Sequence, residues 1–60
     1  MSSCKGSNGD TWEIYGSGTD WRWRRTSPNG RIVGASTESY TSKAHCIDNA
    51  RRNGMDCTPA

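Results

Sequence analysis

This chain must build a core without a single Leu or Phe. Its large apolar side chains are Trp12, Ile14, Tyr15, Trp21, Trp23, Ile32, Val33, Tyr40, Ile47 and Met55. A chain of 60 residues forms one domain at most. On surface scaling its apolar burial gains about 75 kcal/mol, and ordering the backbone and side chains costs about the same. The sum predicts a fold that needs help from outside its own core. Scarcity on this scale excludes a multidomain enzyme, a membrane span and a large enclosed pocket.

The alternation of residue types locates the strands. Trp12 and Ile14 fall on one face of a short strand over Trp12–Tyr15. Trp21-Arg22-Trp23-Arg24-Arg25 alternates more cleanly, with the two tryptophans on one side and Arg22 and Arg24 on the other. Gly16-Ser17-Gly18-Thr19-Asp20 is turn material between them. Ser27-Pro28-Asn29-Gly30 is a second turn, because Pro presets φ and Asn and Gly tolerate left-handed backbone. Arg31–Ala35 returns as a third strand, in which Ile32 and Val33 offer apolar contact to both faces.

A helix follows. Thr41 or Ser42 supplies an N-cap, Tyr40 packs outside it as a staple, and Lys43–Asn53 forms about three turns. Arg51 and Arg52 suit the C-terminal end of the dipole, and Gly54 is a left-handed stop. Cys46, Ile47 and Ala50 share one arc, and His45, Asp48, Asn49 and Arg52 the opposite one. The expected architecture is α+β: a three-stranded antiparallel meander followed by one helix over residues 11–54. Residues 1–10, rich in Ser, Gly and Asn, read as a disordered tail, and 55–60 as a short C-terminal tail.

The order of these motifs resembles the YegP-like family of small bacterial and archaeal proteins. The resemblance rests on Trp21-Arg22-Trp23-Arg24, Asn29-Gly30-Arg31-Ile32, Ser36, Tyr40, Ser42-Lys43-Ala44 and Asn53, and covers about Trp12 to Asn53. It implies a β-β-β-α unit present as two tandem copies or as one copy that dimerises. Two copies then share a continuous sheet and exchange C-terminal segments. One copy is present here, so the resemblance implies a homodimer. It implies no defined activity. The last six residues are short and polar for an exchanged strand.

Charge gives a mild signal. The net charge is +2, with Arg22, Arg24, Arg25 and Arg31 clustered in a stretch that holds no acid between Asp20 and Glu38. These four arginines are candidate phosphate contacts for weak, salt-sensitive binding of RNA or single-stranded DNA. Tryptophans on a sheet can also stack bases, but only if they are exposed. In a core this poor, Trp21 and Trp23 are expected inside, together with Trp12, Ile14, Ile32, Tyr40, Cys46, Ile47 and Ala50, as core or dimer packing.

Catalysis has little to work with. His45 and Asp48 are spaced to pair on the polar helix face, but a general base also needs a pocket. Ser42-Lys43 is better explained by capping than as a nucleophile pair. Cys4, Cys46 and Cys57 with His45 lack the short spacings of a zinc site. An odd cysteine count argues against a secreted disulfide scaffold, and no basic start with an apolar run follows Met1, so free thiols in a cytoplasmic protein are expected. A redox-responsive dimer through Cys4 or Cys57 is a further possibility. The sequence thus favours a non-catalytic, homodimeric interaction module without cofactor or metal, and a weak nucleic-acid binder as the alternative.

Overall fold

The structure is a computed structural model and describes residues 2–36 and 38–59. Four strands and one helix follow in order: β1 (Ser2–Lys5), β2 (Thr11–Ser17), β3 (Asp20–Thr26), β4 (Ile32–Ala35) and α1 (Lys43–Arg52). The sheet runs β1-β2-β3-β4, and every neighbouring pair is antiparallel. The α+β meander with a following helix is therefore as expected, with four strands in place of three.

The extra strand corrects the reading of residues 1–10 as a disordered tail. Ser2 to Lys5 pairs with Ile14 to Thr11 along the outer edge of β2. Ser-Ser-Cys-Lys carries no apolar alternation, so its backbone pairing rather than its side chains makes it a strand. The connection to β2 closes with Gly6 N–H donating to Asp10 C=O at 2.8 Å and Gly9 N–H to Gly6 C=O at 3.0 Å.

Chain geometry at the β2–β3 turn depends on glycine. Ser17 pairs with Asp20, leaving Gly18 and Thr19 as a two-residue loop. Gly16, at φ 124°, lies where a Cβ would meet the Asp20 carbonyl oxygen at 2.0 Å, so no other residue fits. The Ser27–Gly30 turn forms as expected, with Gly30 N–H bonded to Ser27 C=O at 2.9 Å. Helix α1 is capped by Ser42, whose Oγ accepts from the His45 N–H at 3.1 Å. It stops at Asn53, and Gly54 (φ 109°) lets the chain turn so that Met55 N–H reaches Ala50 C=O at 3.1 Å.

The helix lies over one face of β2 and β3. Trp12, Ile14, Trp23, Cys46, Ala50 and Met55 are buried, and Trp21, Tyr40, Ile47, Cys4 and Cys57 pack around them half-buried. The Trp12 and Trp23 rings stand 5.4 Å apart at 44°. Cys46 and Ala50 are the small residues that let the helix approach the indoles this closely.

Ile32 departs from the expected core: it is 63% exposed, and its neighbour Val33 54%. A register shift between Arg25 and Thr26 pairs Ile32 with Thr26, on the sheet face away from α1. The cysteines depart too. Cys4 and Cys57 form a disulfide across a separation of 53 residues, with Cα atoms 5.9 Å apart, and only Cys46 is a free thiol. The odd count conceals one bridge plus one buried cysteine. The bridge ties β1 to the segment after α1, so neither end holds a free thiol for an intermolecular bond.

Candidate interaction surface

Strand β3 is the best-marked segment in the sequence, and the structure places each of its large side chains. Trp23 is buried, and its Nε1–H donates to Asn49 Oδ1 of α1 at 2.8 Å. Trp21 is half-buried; its Nε1–H donates to the Gly18 carbonyl at 2.9 Å, and the Lys43 ammonium sits 5.8 Å from its ring centre. Its backbone exchanges two hydrogen bonds with Tyr40, each 2.8 Å, which hold the linker before the helix against the sheet. Trp23 is too deeply buried to stack a base, and Trp21 remains half-buried.

The four candidate arginines do not form one patch. Arg24 lies on the open sheet face, gives Glu13 two hydrogen bonds (2.9 and 3.3 Å), and rests over the Tyr15 ring at 5.2 Å. These bonds hold the Glu13 carboxyl below the usual carboxylate range and the Arg24 guanidinium above its ordinary value. Arg25 is on the opposite face, bonded to the buried Asp10 carboxylate and 5.3 Å from the Trp12 ring centre. Arg22 is exposed, 3.5 Å from Asp20. Arg31 is exposed beyond the Asn29-Gly30 turn. Parity alone places Arg25 with the tryptophans, opposite Arg22 and Arg24. Its partner Asp10, far away in sequence, has no such signal.

The polar helix face forms an open groove of about 320 Å³, lined by Tyr40, His45, Asp48, Asn49 and Arg52. Here Asp48 pairs with Arg52, one helical turn on, at 3.4 Å. Asn49 is committed to Trp23. Burial pushes the Cys46 thiol up, away from the thiolate form a nucleophile needs. Among the described residues no three His, Cys, Asp or Glu side chains gather as a metal set. No helix there is long and apolar enough to cross a membrane.

The surface that remains is β4. It is an edge strand, so one row of its backbone N–H and C=O groups has no sheet partner. It also carries the exposed large hydrophobic residues, Ile32 and Val33. Two adjacent β-branched residues in a short strand cannot both face one core, and that adjacency was the signal for an outward apolar surface. No protein family, curated protein or solved structure matches this chain.

Proposed function

We propose that the chain is a non-catalytic interaction module that works as a homodimer, with the β4 edges of two copies pairing antiparallel. The observation that carries this reading is the exposed pair Ile32 and Val33 on an unpaired strand edge. Natural edge strands are normally blunted by charge, proline or cover. Ile-Val-Gly-Ala carries no charge and no proline along its length; its edge is limited only by its four-residue length and by the register shift against β3. A second copy suits the edge because a two-fold axis across β4 pairs the strand with itself. Antiparallel pairing brings the exposed Arg31 end of one copy toward the exposed Glu38 end of the other. Sheet extension of this kind draws affinity from main-chain bonds and specificity from the side chains between them.

The likeness to single-repeat YegP-like proteins supports the same reading, since its motifs lie on the meander and the helix start. Exchange of C-terminal segments does not belong to it. Met55 enters the core of its own chain and Cys57 is bonded to its own Cys4. The nucleic-acid reading has weaker support, because Arg22, Arg24 and Arg25 each pair with an acid and both β3 indoles are engaged. Light scattering across a dilution series, for the natural chain and for Val33→Lys, tests the proposal. A dimer that Val33→Lys converts to a folded monomer supports it; a monomer at every concentration refutes it.

A further inference from the structure

We propose that the Cys4–Cys57 disulfide is a redox latch on the β1 side of the sheet, opposite β4. Beyond its four-residue backbone ladder to β2, few side chains hold β1. Strand β1 is an edge strand of four residues. Its inward positions are Ser2 and Cys4, opposite Ile14 and Trp12, so it adds no large apolar side chain to the core. Ser2 is tied by its Oγ to the Lys43 ammonium at 2.8 Å, and that bond and the disulfide are its side-chain links to the remainder of the fold.

The segment after the helix is held in the same manner. Met55 is buried beneath α1, but Asp56 is exposed and held by Ser7, whose N–H and Oγ–H both donate to its carboxylate. Cys57 then joins β1 covalently. Among the described residues, every buried core residue except Met55 lies on β2, β3 or α1. Among those same residues, β1 and the segment beyond Met55 contribute to this core only the half-buried Cys4 and Cys57, the two halves of the bridge itself.

Both bridge cysteines are only half-buried, whereas Cys46 is completely enclosed. A dithiol reductant can reach the bridge and not the free thiol. One dithiol supplies two electrons: the S–S bond breaks, Cys4 and Cys57 each take a proton to become thiols, and the reductant becomes a disulfide. Cys46 cannot trap either partner. Once released, β1 peels away, and the edge of β2 becomes a new sheet edge. In a reducing compartment the latch stands open, and in an oxidising one it is shut.

The test uses the full chain. Thiol labelling of air-oxidised protein in denaturant without reductant should count one thiol, Cys46. Three would mean no bridge and would overturn the proposal. Dithiothreitol is then added to the native protein, and trypsin cleavage after Lys5 is followed by mass spectrometry together with the Trp23 indole resonance. The expected result is cleavage after Lys5 faster by about tenfold or more, with the indole resonance in place. A double variant, Cys4→Ser with Cys57→Ser, should reproduce that state without reductant. Unchanged cleavage would show that β1 does not depend on the bridge, and loss of the indole resonance would show that the bridge holds the whole fold; either result ends the proposal.

Discussion

The Trp23 indole donates its one hydrogen bond to the side-chain carbonyl of Asn49, and this link at 2.8 Å pins helix α1 to strand β3. It gives Trp23 a structural role between sheet and helix. A tryptophan buried to 4% exposure cannot leave its N–H unpaired without cost, and Asn49 stands where the helix meets the ring. Asn49→Leu raises the intrinsic helix propensity but removes the acceptor, so the net destabilisation expected, from a loss of about 1–3 kcal/mol, isolates the bond. Chemical denaturation followed by tryptophan fluorescence measures this. An unchanged midpoint would show the bond to be replaceable by water.

Trp23 also supplies much of the core volume against Trp12. Trp23→Ala should cost about 3–5 kcal/mol, enough to unfold a domain this small. Loss of the cooperative thermal transition in circular dichroism is the expected outcome. A folded Trp23→Ala protein would return the indole to the surface and reopen its role as a stacking platform.

Acid should loosen the fold through two carboxylates. Bonds from Arg24 lower the pKa of Glu13, and bonds from Ser7 lower that of Asp56. A depressed folded-state pKa contributes stability that is full above the unfolded value and is lost as pH falls through the folded one. Denaturation midpoints should therefore hold from neutral pH down to about 5 and fall below about 4, where carboxylates titrate. Glu13→Gln with Asp56→Asn should flatten that slope. A slope unchanged in the double variant would assign the acid sensitivity to other groups.

Polyanion binding should be absent at physiological salt. Arg24 and Arg25 are committed to Glu13 and Asp10, and they lie on opposite faces of β3. Single-stranded RNA added at about 150 mM salt, near physiological ionic strength, should leave the tryptophan fluorescence unchanged. Salt-dependent quenching would favour the nucleic-acid alternative.

Much of this fold is legible in the sequence, and the exceptions share a cause. Trp12-x-Ile14 and Trp21-x-Trp23 mark their strands because side-chain alternation is a local property. Ser42 and Gly54 mark the helix ends for the same reason, since capping involves only neighbours. Ser2–Lys5 became a strand through the edge of β2, the Cys4–Cys57 bridge spans nearly the whole chain, and Arg25 found Asp10 across the sheet. Partners brought together by topology leave no local pattern. Ile32 lies between these cases: its strand is readable, but the register shift that turns it outward is not.

The central claim is that β4 is a self-pairing edge, and sedimentation equilibrium of the oxidised protein tests it most directly. The account predicts twice the 6.6 kDa chain mass for the natural sequence. It predicts the single-chain mass for Val33→Lys, with the circular dichroism of the fold retained. A natural chain that stays at 6.6 kDa, or a Val33→Lys chain that stays dimeric, would contradict it.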